Sequence, residues 1–203
     1  KTINLEKLPD HILNNSKIEH RIKAIFNTTP QNVMINELIL KNKVLELKIT
    51  AKDNENLDLL KQSLNKIYQI VETKKLDEKQ ESNFEAIVVA KDELEIKDVV
   101  YGIFTQEYLQ DELFDKESIN EQLKILLPEH SIIKYIETYN ANKVEIFSFS
   151  VNTIIKEPKD LFNIFTNINS ELYSITISKP ILMKNTNLGI EVDFIIEFNQ
   201  LKN

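Results

Sequence analysis

The residues best suited to chemistry in this chain are its three histidines, His11, His20 and His130, two of which directly follow glutamates as Glu19-His20 and Glu129-His130. Imidazole and carboxylate together can bind a divalent ion. On one helix, however, the ligands must stand at i and i+3 or i+4, because sequence neighbours point about 100° apart. None of the three histidines meets that spacing, so they read as surface residues. Carboxylate pairs occur at Asp53/Glu55, Asp111/Glu112 and Glu191/Asp193. General acid–base work needs a carboxyl whose pKa is raised inside a pocket. Glu191, Asp193 and Glu197 instead fall on the polar side of an alternating strand, where solvation is the plainer explanation. A serine nucleophile needs a strained, glycine-flanked elbow, whereas Ser148 and Ser150 simply alternate with Phe147 and Phe149. Those phenylalanines, with Tyr135 and Tyr139, could form a base-stacking platform. The charge balance argues for core packing or a protein interface instead. The sequence therefore assigns no catalytic, cofactor-binding or metal residue, and a non-enzymatic protein is expected.

Composition closes further classes. The 203 residues include no cysteine, which removes disulfides, thiolate metal sites and cysteine nucleophiles. Only Gly102 and Gly189 are glycines, too few for a phosphate-cradling loop or a dinucleotide fold, both of which need close backbone approach. The formal charge is −7, and Arg21 is the sole arginine. Nucleic-acid binding needs a concentrated basic face to displace counterions, so no nucleic-acid partner is expected. No run of about 20 apolar residues is present, so nothing here spans a bilayer as a helix. The chain starts at Lys1 rather than methionine. That start suggests an upstream segment, such as a tag, signal or membrane anchor, and Leu5, Leu8 and Ile12 read as the end of a longer helical approach.

Stepping along the chain, the spacing of apolar residues predicts one unit written twice. Ser16-Lys17-Ile18-Glu19 has the form of a capping box, and Ile18, Ile22, Ile25 and Phe26 continue as a helical stripe that Pro30 ends. Strands are predicted at Val33–Leu40 and Lys43–Ala51 around a turn at Lys41-Asn42, the second by its strict alternation. Asp53 is placed to cap a helix whose stripe runs Leu57, Leu60, Leu64, Ile67 and Val71. A weak strand near Glu72–Leu76 and a stronger one at Phe84–Ala90 close the first half. The second half repeats the order. A capping box at Ser118–Glu121 opens a helix carrying Ile119, Leu123, Leu126 and Leu127, and Pro128 ends it. Strands follow at Ile132–Tyr139 and Lys143–Asn152. Pro158 opens a helix with Leu161, Ile164, Phe165 and Ile168. Last come a strand from Leu172 to Met183, bent or at an edge because Pro180 cannot donate to a ladder, and one at Ile190–Phe198. Asn42-Lys43-Val44 and Asn142-Lys143-Val144 sit at the same point of each first hairpin.

The expected architecture is thus α+β, with two tandem αββαββ units at 15–93 and 115–203. Each would be a ferredoxin-like sandwich in circularly permuted order, built on an antiparallel sheet. Residues 94–114 should form a packed connector, because Val99, Val100, Ile103 and Phe104 are too apolar for a free tether.

The phrase from Asn27 to Leu38, the hairpin from Leu38 to Ala51, the leucine-bearing helix opened by Asp53, and the closing segments Pro180-Ile-Leu-Met and Gly189 to Phe198 resemble one group of proteins. These are the periplasmic domains of the PilN/PilO and GspL/GspM families, which are inner-membrane components of type IV pilus and type II secretion assembly platforms. The resemblance implies a non-enzymatic, extracytoplasmic scaffold on the periplasmic face of the inner membrane. Its partners would be other platform proteins bound through similar domains, with homo- or heterodimers possible, no cofactor, and membrane attachment only through an anchor outside this chain. Such proteins usually carry one such domain behind a transmembrane helix and coiled coil, and this chain departs from both features. A different class of protein, a tandem ferredoxin-like module that senses a small molecule, is the alternative.

Overall fold

The strands predicted from alternation form, and Leu45, Leu47, Ile49, Phe84, Ala86, Val88, Val192, Phe194 and Ile196 are buried on one side of each. The computed structural model describes residues 14–96, 114–141, 144–170 and 174–201. The elements run α1 (Asn14–Thr28), β1 (Val33–Leu40), β2 (Val44–Asp53), α2 (Asn54–Leu64), β3 (Tyr68–Lys75) and β4 (Ser82–Glu93). They continue as α3 (Lys116–Leu126), β5 (Ile132–Ala141), β6 (Val144–Ile155), α4 (Pro158–Ser170), β7 (Ser174–Thr186) and β8 (Gly189–Leu201). The protein is α+β, the described ladders are all antiparallel, and the strand order is β3-β4-β2-β1-β7-β8-β6-β5.

The described residues divide into two compact units that are not two consecutive stretches of chain. Residues 20–96 group with 179–187, while 14–19, the described part of 114–178, and 188–201 form the other. In the first unit, β2 and β4 lay large residues opposite small ones: Leu45 faces Ala90, Leu47 Val88, Ile49 Ala86, and Ala51 Phe84. All eight are buried. Such complementary rows fill the space under α2, whose Leu57, Leu60 and Leu64 are buried over them. Residues 181–184 of β7 add a fifth strand to this unit along β1, where Leu38 faces Met183 and Leu40 faces Ile181.

In the second unit the corresponding rows pair Phe147 with Phe198, Phe149 with Ile196 and Val151 with Phe194. The buried stripes of α3 (Ile119, Leu123, Leu126) and α4 (Leu161, Ile164, Phe165, Ile168) complete its core. The amide of Asn15 works here as a piece of strand. Its Nδ2 donates to the Ile175 carbonyl at 2.7 Å, and its Oδ1 accepts from the Ile177 N–H at 2.8 Å.

The two first hairpins share one register. Val33 faces Ala51 as Ile133 faces Val151, and Glu37 faces Lys48 as Glu137 faces Ser148, an offset of 100 residues in both strands. Each first strand also carries a bulge at the same place, between Ile35 and Glu37 in β1 and between Tyr135 and Glu137 in β5.

Four expectations are corrected. The first helix is already formed at Asn14 and Asn15, so Ser16 lies inside it rather than capping it. The helix after Asp53 ends at Leu64, and Ile67 and Val71, which prolong its 3–4 spacing, belong to the turn and strand that follow. Both are buried, so their spacing reflects the shared core and not one helix. The third helix is capped by Asp115 and not Ser118: the Asp115 carboxylate accepts from the Ser118 N–H at 2.8 Å. Aspartate is at least as good a cap as serine and also complements the helix dipole. Finally, of the bend or edge expected at Pro180 the edge is excluded: β7 stands between β1 and β8 in the strand order, and its ladder to β1 begins at Ile181, just past Pro180. The connector lies largely outside the described residues, as do His11, Gly102 and Asp111/Glu112.

Candidate functional site

The residues singled out for chemistry are dispersed by the fold. Asp53 is spent as the cap of α2, accepting from the Asn56 N–H at 2.9 Å, and those hydrogen bonds hold its carboxyl below the usual range. His130 is exposed at the end of a turn, 3.8 Å from the equally exposed Glu129. Glu191 and Asp193 stand on β8 opposite β6, where the Asn152 amide donates to both at 2.8 Å. Among the described residues no group of three or more His, Cys, Asp or Glu is arranged to hold a metal ion.

The aromatic platform also divides. Phe147 and Phe149 are buried in the core. Tyr135 faces Phe149 across the β5–β6 ladder with ring centroids 5.7 Å apart, on the core side. Tyr139 faces Ile146, and its hydroxyl donates to Glu197 at 2.9 Å on the opposite side. Four residues apart on a regular strand, the two tyrosines would share a face; the intervening bulge separates them. Burial and the Glu197 hydrogen bond push the Tyr139 phenol up to about 12.

One polar cluster was not visible as a motif. Arg21, the only arginine, is buried in the first unit, where it donates to the carbonyls of Ile67 at 2.8 Å and Leu94 at 2.6 Å. Its guanidinium lies 3.9 Å from Glu93 and 5.1 Å from the ring centroid of Tyr68. Lys179 approaches Glu93 at 3.4 Å. Among the described residues the buried Tyr68 hydroxyl has no hydrogen-bond partner, and burial, followed by the Glu93 charge, raises its pKa well above the ordinary phenol value. A phenol held protonated is no nucleophile, and an arginine spent on backbone carbonyls is a clamp on the ends of β3 and β4. In sequence its one signal is rarity, a lone arginine among lysines on the apolar side of a helix.

The remaining candidate is a surface for protein contact. Strand β5 closes one end of the strand order, and every side chain from Lys134 to Asn140 is exposed. Ile132, Tyr135, Ile136 and Tyr139 are all among the exposed large apolar residues. Lys116 lies 4.8 Å above the Tyr135 ring, and the Tyr135 and Thr138 hydroxyls share a hydrogen bond of 2.8 Å. Its counterpart β1 is covered by residues 181–184, with Lys184 3.4 Å from Glu37 and the Asn185 amide donating to the Ile35 carbonyl at 3.0 Å.

Compared with known proteins, the chain matches no family, no curated protein and no solved structure.

Proposed function

We propose that this chain is a non-enzymatic, extracytoplasmic scaffold module of an inner-membrane pilus, competence or type II-like secretion platform, built from two tandem ferredoxin-like sandwiches in permuted order. The observation that carries the reading is the strand order. Within each αββαββ set the order is third, fourth, second, first, as β3-β4-β2-β1 and β7-β8-β6-β5. A ferredoxin-like sheet acquires that order when its first strand is moved to the end of the chain. The common hairpin register and the bulges at equivalent positions support one architecture used twice.

The proposed mechanism is geometric. Sheet edges present rows of N–H and C=O groups that a partner strand can satisfy, with side-chain pockets giving specificity. The strand of residues 181–184 laid along β1 is an example of such an addition inside one unit. Platform proteins of the same machine, bound through similar domains, are the proposed partners.

The test is binding of the full chain to candidate platform proteins encoded beside it, by calorimetry at up to about 100 µM. Saturable binding to one of them is expected. No heat with any of them, together with a melting-temperature rise of several degrees on adding an amino acid or nucleotide, would replace this reading with a small-molecule sensor.

A further inference from the structure

The bulge in β5 gives its edge a self-complementary pattern. In an unbroken strand Lys134 and Glu137, three residues apart, would point to opposite faces. Here Lys134 faces Ser150 and Glu137 faces Ser148, two residues apart on β6, so both project from the same side. Ile132, facing Asn152, and Tyr139, facing Ile146, join them there. Read in order, that face is Ile132, Lys134, Glu137, Tyr139: apolar, basic, acidic, apolar. Run antiparallel to itself, the pattern meets its complement at every position.

We infer that β5 is a homodimerisation strand, by which two copies of this chain pair antiparallel about a two-fold axis at the bulge. In that register Lys134 of one copy lies opposite Glu137 of the other, twice. Ile132 lies opposite Tyr139, also twice. On the core side Ile133 meets Thr138. All follow from a single alignment, and a two-fold interface requires that each contact occur in both directions. The two bulges then face one another, so neither strand is out of step with its partner.

Three observations support the strand as a free edge. Among the described residues no strand pairs with it opposite β6. It exposes Ile132, Tyr135, Ile136 and Tyr139 together, at 54%, 43%, 47% and 37% of their surface, on a strand only 10 residues long. Native edge strands are commonly blunted by charge or by a bulge; in β1, which carries the equivalent bulge, residues 181–184 add a strand immediately beside it, from Glu37 onward. The inference does not depend on the scaffold reading, because it names a contact between identical chains and no other protein.

Sedimentation velocity on the full chain between about 1 and 500 µM tests it. A monomer–dimer equilibrium is expected. Lys134→Glu or Glu137→Lys alone sets like charges opposite one another twice and should weaken the dimer about tenfold. The double variant K134E/E137K exchanges the charges and should return the constant to within about threefold of the parent. Circular dichroism confirms that each variant is folded, and Lys134→Gln with Glu137→Gln substitute for any that is not, each weakening the dimer about threefold. A parent chain that is monomeric at 500 µM overturns the inference, and so does a dimer indifferent to both single reversals. Single reversals that weaken a dimer the double variant does not restore overturn the register and the inference with it.

Discussion

Arg21 and Tyr68 stand side by side in the first unit, yet the same change, deleting the polar group, has opposite consequences at the two positions. Arg21 satisfies two backbone carbonyls and neighbours Glu93. Replacing it with methionine takes the donor from the Leu94 carbonyl, leaves the Ile67 carbonyl with the Leu94 N–H alone and Glu93 with Lys179 alone, and should cost about 1–3 kcal/mol in urea unfolding. Lysine would recover only part of this, because an ammonium cannot span both carbonyls as the planar fork does. The Tyr68 hydroxyl satisfies nothing among the described residues. Tyr68→Phe removes a desolvated group without orphaning a partner, so it should be neutral or stabilising by about 1 kcal/mol. The phenol also dictates a pH dependence. Its folded pKa lies above its unfolded value of about 10, so the folded state keeps a proton that the unfolded state gives up. Stability present below pH 10 is therefore lost as the pH rises further. Alkaline unfolding of the Phe variant should show a slope shallower by up to about 1.4 kcal/mol per pH unit.

At the scale of elements, single side chains and atoms set where strands and helices stop. Asn15 lends β7 the donor and acceptor of a neighbouring strand, and Asn15→Ala should destabilise the protein by about 1–3 kcal/mol in chemical denaturation. Gly189 opens β8 with φ of +133°, and a Cβ there would fall 2.6 Å from the Ile155 carbonyl oxygen. Gly189→Ala should therefore cost more than about 1 kcal/mol, read as a lower urea midpoint. The alternation in β2, β4 and β8 was legible because one face of each is buried, so period 2 maps directly onto burial. The bulges at residues 36 and 136 were not. A bulge depends on how two strands share hydrogen bonds, and neither Asn36 nor Ile136 announces it in its own sequence. That is why Tyr135 and Tyr139 read as one platform and lie on two faces. The cap of α3 was misplaced for a related reason: Ser118 is a good cap locally, but it is the Asp115 carboxylate that accepts the Ser118 N–H once the turn is in place.

For the molecule as a whole, the repeated order of elements was the most legible property, since hydrophobic period and proline stops recur in both halves. What the sequence concealed is membership. The fifth strand of the first unit comes from residues 179–187, and Leu38 meets Met183 across 145 positions of chain. No pattern in Pro180-Ile-Leu-Met distinguishes a strand serving its own half from one serving the other. The Arg21 cluster stayed hidden on similar grounds, because Lys179 joins Glu93 only through that long return. The borrowed strand also imposes a schedule. During synthesis, residues 20–96 emerge well before their fifth strand, and at about 5–20 residues per second the interval is roughly 5 to 20 s. For that time β1, with Leu38 and Leu40 along it, is an uncovered template for any passing strand. Nascent chains lengthening side by side on one message would be the nearest source of such strands. Slowing translation while residues 97–187 are being added should therefore raise the insoluble fraction of newly made protein.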